Sequence, residues 1–118
     1  MIRTALALAA ASLALLAPTA ADAAPTAQAS KACSTGDGEG FGTTYVLSIK
    51  ASGVSCRKAK RVVKAFHACR PGKSGRCSRV DGWSCSENRF NRSNTQYSSR
   101  VTCRKGGKVV KHTYTQWI

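Results

Sequence analysis

The chain has 118 residues, six cysteines and two histidines, and its 19 Lys+Arg against 5 Asp+Glu give a net charge of +14. This length makes one small domain with a modest core, which excludes a multidomain architecture. The charge exceeds the magnitude of ~2–8 that solubility asks of a small domain. We therefore expect an anionic polymer or an acidic protein as partner, and general adhesion without a designated target is the alternative.

The first residues have the pattern of a secretory signal peptide. Arg3 supplies the positive start, an apolar run extends from Ala5 to Ala17, and Ala21-Asp22-Ala23 fits the A-x-A cleavage rule. We predict a signal peptide over residues 1–23 and a secreted protein; Ala27-Gln28-Ala29 is a second candidate cleavage motif. No stretch approaches the ~20 apolar residues of a spanning helix, so no membrane span is predicted.

The next segment, residues 24–40, is predicted to be a flexible leader that ends in a glycine-rich loop, because it is rich in Ala, Pro, Thr, Ser and then Gly. A single basic α+β domain is predicted over residues 41–118. Its first strand runs from Thr43 to Lys50, with Tyr45, Leu47 and Ile49 on the apolar face.

A helix is predicted to follow, from Ser55 as the N-cap to a stop at Pro71-Gly72. Its apolar residues recur at helical spacing, so this stripe should face the core. The stripe consists of Ala59, Val62, Val63, Phe66 and Cys69.

Three further strands are predicted after the helix. Val80 to Cys85 forms the second, with Asp81-Gly82 as a bulge or tight turn, and residues 88–94 form a polar loop. The last two strands make a hairpin around Gly106-Gly107 that pairs Lys105 with Lys108. This register places Cys103 opposite Val110, Val101 opposite His112 and Ser99 opposite Tyr114. The predicted fold is therefore α+β, with one helix packed on a four-stranded, mainly antiparallel sheet in the order β-α-β-β-β.

The six cysteines of an exported chain predict three disulfides. Cys56 and Cys69 are ~20 Å apart on one helix, so they cannot bond to each other. Cys85 and Cys103 face each other if the loop between them centres on Asn94. The helix should run antiparallel to the first strand, so its end should return near the start of that strand and bring Cys69 close to Cys33. We therefore nevertheless prefer the pairs Cys33–Cys69, Cys56–Cys103 and Cys77–Cys85. Zinc is disfavoured because the chain has neither Cys-x-x-Cys nor paired histidines, and no metal or cofactor is expected.

Three motifs resemble those of small secreted proteins of high-GC Gram-positive bacteria, most of them uncharacterised. The motifs are Ser55-Cys56-x-x-Ala59-x-x-Val62, Cys77-x-x-Val80-x-Gly82-Trp83-x-Cys85 and Val101-Thr102-Cys103-x-x-Gly106. The resemblance covers residues 43–116 and implies a fold, not an activity. It also implies that Cys33 and Cys69 are an additional pair beside the shared Cys56, Cys77, Cys85 and Cys103.

Catalysis is not expected, because the chain has no nucleophile motif and lacks the motifs of microbial ribonucleases. The least favoured hypothesis is a small nuclease using Glu87, His112 and Arg100. A second hypothesis is an inhibitor of an extracellular enzyme that presents residues 88–94 as a rigid, disulfide-held loop.

The favoured hypothesis is a monomeric, non-enzymatic module that binds an anionic surface or an acidic extracellular partner. On the sheet face that should carry Arg100, Arg104 and Lys111 we expect threonines rather than aromatic residues. Such a face would attract phosphate groups but would not read a specific nucleic-acid sequence. The candidate anion-binding residues are Arg57, Lys58, Lys60, Arg61 and Lys64 on the helix and Arg100, Arg104 and Lys111 on the sheet.

Overall fold

The computed structural model describes residues 29–42 and 44–118. The predicted signal peptide and the start of the leader lie outside these residues. The described part is an α+β domain with one helix, one six-stranded antiparallel sheet and three disulfides. No helix in this described part is long and apolar enough to cross a membrane.

The elements are β1 (Lys31–Cys33), β2 (Thr44–Ser52), α1 (Cys56–Cys69), β3 (Arg79–Val80), β4 (Trp83–Phe90), β5 (Gln96–Lys105) and β6 (Lys108–Trp117). The strands lie in the order β1-β2-β6-β5-β4-β3, and every neighbouring pair is antiparallel. The long central strands β2, β6, β5 and β4 form the body of the sheet, and the short β1 and β3 cover parts of its two edges.

Helix α1 packs on one face of the sheet, where it contacts β2, β6 and β3. Ser55 is its N-cap, as predicted, and the Ser55 hydroxyl accepts from the backbone N–H of Lys58 at 3.1 Å. Four residues of the predicted stripe are buried against the sheet, namely Ala59, Val62, Val63 and Phe66. Trp83, only 1% exposed, completes this core beside the Cys85–Cys103 disulfide.

The β5–β6 hairpin has the predicted register, with Lys105 opposite Lys108 and Val101 opposite His112. Asp81 and Gly82 both adopt positive φ, at 48° and 81°, and this matches a tight turn between β3 and β4. The predicted β5–β6 hairpin is therefore confirmed, and of the two alternatives for Asp81-Gly82, a bulge or a tight turn, the structure has the turn, which divides the predicted second strand into β3 and β4.

The four-strand prediction is wrong, because β1 and β3 add a short strand at each edge. Lys31–Cys33 falls in the predicted leader but pairs with the end of β2. Strand β4 continues to Phe90, which places residues 88–90 of the predicted loop in the sheet. A bulge between Val46 and Ser48 also changes the inward face of β2. Val46 is therefore buried, whereas Tyr45 and Leu47 are exposed.

All three preferred disulfide pairings are wrong, although the exclusion of Cys56–Cys69 is confirmed. The disulfides are Cys33–Cys56, Cys69–Cys77 and Cys85–Cys103. Because β1 runs beside the end of β2, Cys33 reaches the start of the helix instead of its end. The short loop 70–76 brings Cys77 back to the helix end, and Cys85 bonds to the residue directly opposite it on β5.

Candidate anion-binding surface

The sheet face opposite α1, here called the open face, carries a patch of cations without a carboxylate among the described residues. Two rows run across its four central strands. One row consists of Ser48, Thr113, Arg100 and Asn88, and the next consists of Lys50, Lys111, Thr102 and Ser86. Arg104 follows one row farther along β5. The four acids of the described chain, Asp37, Glu39, Asp81 and Glu87, lie in loops, in a turn or on the helix side.

Lys50 and Lys111 are direct cross-strand partners on β2 and β6. Side chains in such a position have Cβ atoms ~5 Å apart, and two like charges there destabilise a sheet. Both lysines are exposed, and neither forms a salt bridge with a described residue. The pair therefore concentrates positive charge at a cost in folding free energy.

A shallow depression of about 360 Å³ lies over these rows. Its walls combine the cations with hydroxyl and amide side chains, so it offers hydrogen-bond donors beside the charges. The lining residues that project from the open face are Ser48, Lys50, Ser86, Asn88, Arg100, Thr102, Lys111 and Thr113.

The structure does not bring the predicted anion-binding residues together. Arg100, Arg104 and Lys111 lie on the open face, whereas the helix cations lie beyond the core on the opposite side of the sheet. Arg57, Lys58, Arg61 and Lys64 are exposed, and Lys60 is half-buried. The predicted set therefore forms two separate surfaces. Lys50 was missed, although its place on the polar face of the first predicted strand was a usable signal.

An apolar group adjoins the open face, and we call it the apolar corner. It consists of Tyr45, Leu47 and Trp117, which are 41%, 50% and 59% exposed. Tyr45 and Trp117 project from the same face of the neighbouring strands β2 and β6. The expectation that threonines alone accompany the cations was therefore incomplete. Phe90 is also on the open face, where the Arg100 guanidinium lies 4.3 Å from its ring centre.

The residues proposed for a nuclease are separated by the sheet. Glu87 and His112 lie on the helix side, where Glu87 accepts from Tyr114 and His112 contacts His67 of α1, and His112 is only 2% exposed. Arg100 projects from the open face. A nuclease needs its general acid, its general base and its phosphate-binding cation around one substrate. Glu87 and His112 are on the opposite side of the sheet from Arg100, so these three residues do not form one active site.

The helix side instead contains a buried polar network centred on Arg70. All five guanidinium N–H groups have acceptors, and every acceptor is uncharged. The Nε atom donates to His67 Nδ1 at 3.2 Å, and the guanidinium lies 4.8 Å from the ring centre of Tyr114. The remaining acceptors are the carbonyl oxygens of Lys73 and Gly75, the hydroxyls of Tyr97 and Thr44, and Gln116 Oε1.

Glu87 forms the acidic part of the same network. Its carboxylate accepts from Tyr114, from Ser99 at 2.7 Å and from Arg89 at 2.9 Å. Burial alone would raise the pKa of Glu87, but these hydrogen bonds, together with the charge of Arg89, outweigh burial and hold the pKa below its ordinary value. The same carboxylate raises the pKa of Arg89, although burial acts in the opposite direction.

The hydrogen bonds of His67 and His112 fix their tautomers. Because Arg70 donates to His67 Nδ1, the proton of neutral His67 is on Nε2, and Nε2 donates to His112 Nε2 at 2.9 Å. His112 therefore carries its proton on Nδ1, which has no acceptor among the described residues. Burial is the main reason why the pKa falls to about 2 for His67 and to about 3 for His112. For His67 the neighbouring His112 and Arg70 lower the pKa further. For His112 the Arg70 charge also lowers the pKa and Glu87 opposes it.

Residues 70–76 form a disulfide-held loop separate from residues 88–94, which lie in the hairpin spanned by Cys85–Cys103. Cys69–Cys77 closes loop 70–76, and three consecutive carbonyl oxygens are held from inside the fold. Arg70 and Tyr97 donate to Lys73, Arg89 donates to Ser74, and both arginines donate to Gly75. The loop therefore presents an exposed but fixed basic surface.

No group of three or more His, Cys, Asp or Glu side chains that could hold a metal ion occurs in residues 29–42 and 44–118. Comparison of the chain with known protein families, with curated proteins and with solved structures finds no match.

Proposed function

We propose that the protein is a secreted, non-enzymatic module that binds an anionic polymer or surface through the open face of its sheet. The observation that carries this proposal is the direct pairing of Lys50 with Lys111 on an exposed face without a carboxylate among the described residues. Such a pair weakens the fold, and an anionic ligand would neutralise it. Arg100 and Arg104 extend the positive charge along β5.

The form of the surface supports a sequence-independent electrostatic contact. A flat patch of hydroxyl groups and cations can hydrogen-bond phosphate, sulfate or carboxylate groups without an enclosed pocket. Secretion is part of the proposal. It is supported by the predicted signal peptide and by three disulfides with no free cysteine among the described residues.

The test compares two double variants that remove the same charge from opposite sides of the molecule. Lys50→Gln with Lys111→Gln changes the open face, and Lys58→Gln with Arg61→Gln changes the outer face of the helix. We expect the first variant to elute from heparin at clearly lower salt than the second. Equal shifts in both variants, or a larger shift in the helix variant, would contradict the assignment to the open face.

The melting temperature of the same variants gives a second readout. Loss of the Lys50–Lys111 repulsion should raise it by a few degrees, because a relief of roughly 0.5 kcal/mol shifts a domain of this size by about 2–4 °C. If the Lys50→Gln, Lys111→Gln variant binds heparin more weakly but melts at a higher temperature, the two lysines serve binding and not the stability of the fold. A lower melting temperature would indicate that the lysines support the fold.

The structure also favours a second candidate, an inhibitor of an extracellular enzyme that presents loop 70–76. A loop that is ordered before binding loses less entropy in a complex, and this loop is fixed by Cys69–Cys77, Arg70 and Arg89. The Lys73 carbonyl oxygen points into the fold, so this residue cannot present its carbonyl to a protease as a substrate does. Stoichiometric, salt-tolerant inhibition of a protease or lysozyme, lost on removal of Cys69 and Cys77, would support this candidate.

A further inference from the structure

We propose that the apolar corner and the open face together form a docking surface for an anionic lipid bilayer. This inference depends on the proposed function, because the same cations would bind the lipid headgroups. It adds the class of surface and the residues that enter it.

The apolar corner is exposed yet held in place. Trp117 pairs with Gln96 at the end of β6, and the backbone N–H of Ile118 donates to the Thr95 carbonyl at 2.9 Å. On β2, the Tyr45 ring packs against Gly38, where an added Cβ would lie 2.9 Å from ring atoms. The apolar side chains therefore remain exposed without a loose terminus, and binding would require little ordering.

The composition of the corner matches what a membrane interface accepts. Trp and Tyr rings are enriched at the level of the lipid headgroups, because each has an apolar body and a polar N–H or O–H. Leu47 supplies aliphatic surface that favours the boundary of the acyl chains. Together they provide both kinds of side chain that a peripheral membrane protein inserts.

The cations lie at a useful distance from this corner. Tyr45 shares a row with Thr115, and the row that contains Arg100 comes next on the open face. Lys50 and Lys111 lie one row farther, and successive rows on one face are ~7 Å apart. A bilayer that receives the corner would thus have Arg100 ~7 Å away, within the Debye length of ~8 Å at physiological salt, whereas Lys50 and Lys111 at ~14 Å would contribute less.

A single-stranded nucleic acid fits this surface less well, because its bases need free ring faces. The Phe90 ring is already covered by Arg100, and the Tyr45 ring packs against Gly38. Trp117 alone is left as an open stacking platform, whereas Leu47 has no ring to stack. The observations therefore favour a lipid surface.

Tryptophan fluorescence tests this inference directly. The chain has two tryptophans, of which Trp83 is 1% exposed and Trp117 is 59% exposed. A spectral change on binding thus reports on Trp117. The protein should begin at Ala24, since this form lacks the predicted signal peptide and retains the helix, every strand and all three disulfides.

With vesicles of phosphatidylcholine and phosphatidylglycerol we expect a blue shift of the emission and protection from acrylamide, both reduced by salt. Vesicles of phosphatidylcholine alone should give neither. Because variants at Trp117 lose this reporter, their binding is measured by co-sedimentation with the vesicles. Trp117→Ser with Leu47→Ser should weaken binding to the anionic vesicles roughly tenfold or more while heparin retention stays unchanged. Trp117→Phe should keep most of the affinity.

The outcomes separate this inference from the proposed function. Retention on heparin without vesicle binding would overturn the inference and leave the proposed function intact, whereas loss of both would overturn both. Vesicle binding without protection of Trp117 would show adsorption by charge alone and would overturn the inference. Equal binding to neutral and anionic vesicles would show that the cations do not contribute, which also contradicts it. Stronger protection of Trp117 by a single-stranded oligonucleotide would overturn the inference in favour of nucleic acid.

Discussion

The Nε2 atoms of His67 and His112 face each other 2.9 Å apart between helix α1 and strand β6, and only one proton lies between them. Arg70 holds the other ring nitrogen of His67 as an acceptor. A second proton on His112 would lie on Nε2 and face the N–H group of His67. A second proton on His67 would lie on Nδ1 and face the N–H group of Arg70, so either protonation breaks a hydrogen bond. Geometry and burial thus both keep the pair neutral.

This pair should make the fold sensitive to mild acid. The pKa of both histidines is lower in the folded protein than its ordinary 6.5, so the unfolded chain binds more protons below that pH. We expect the free energy of unfolding to fall as pH decreases from about 6.5, by up to ~1.4 kcal/mol per pH unit for each histidine. Urea denaturation at pH 7 and pH 5 measures this difference.

The matched variant replaces both rings by glutamine, which keeps a hydrogen-bonding side chain but does not titrate. His67→Gln with His112→Gln should remove most of the pH dependence between pH 6.5 and 5. Glu87, whose pKa is lowered, should still reduce stability at pH values below about 4.5. An undiminished slope in the double variant would show that other groups cause the acid sensitivity.

Arg70→Met should be among the most destabilising single substitutions on the helix side. It removes the Arg70 donor from the buried hydroxyls of Thr44 and Tyr97 and leaves Gln116 Oε1 with the Thr44 hydroxyl in place of two donors, and we expect a loss of about 3 kcal/mol. Urea denaturation gives this loss as a lower midpoint. Arg92→Met is the control, because Arg92 is exposed and forms no hydrogen bond or ion pair within the described chain; its effect should stay within ~0.5 kcal/mol.

Tyr114→Phe tests the acidic part of the network separately. The change removes one of three donors to Glu87 and keeps the ring beside Arg70. We expect a loss of about 1–2 kcal/mol and a rise in the pKa of Glu87, because a hydrogen bond to the charged form is gone. Carboxyl NMR titration follows that pKa, and a value unchanged from the parent protein would contradict the described geometry.

Gly75→Ala should loosen loop 70–76. A Cβ at this position would overlap the Pro71 carbonyl oxygen, so the backbone that Arg89 and Arg70 hold must move. We expect a loss of roughly 2 kcal/mol and faster proteolysis at Lys73. Gly107→Ala, which meets open space in the β5–β6 turn, is the control and should leave both measurements unchanged.

The helix, its cap and the β5–β6 hairpin were predictable, and the turn at Asp81-Gly82 was one of two predicted alternatives, because their signals are local. Ser55, Asp81-Gly82 and Gly106-Gly107 each specify a conformation within a few residues. The second half of β4 was not predictable in this way. Its inward positions hold Glu87 and Arg89, which are buried as a hydrogen-bonded pair, so the apolar alternation that marks a strand is absent.

The candidate surface was predictable only in part, for a similar reason. Sequence assigned Arg100, Arg104 and Lys111 to one face, but the bulge at Leu47 reverses the inward pattern of the first half of β2. Tyr45 and Leu47 were therefore expected in the core and instead lie at the surface. The pairing of Lys50 with Lys111 depends on contact between strands far apart in the chain, which no local pattern specifies.

The disulfides join the cysteines strictly in order of appearance: first to second, third to fourth and fifth to sixth. A polypeptide that emerges amino end first exposes each partner before the next pair begins. Oxidation in the order of emergence would give the native set directly, so the chain needs no exchange of mispaired bonds to mature. Its oxidative folding should accordingly depend little on an isomerase.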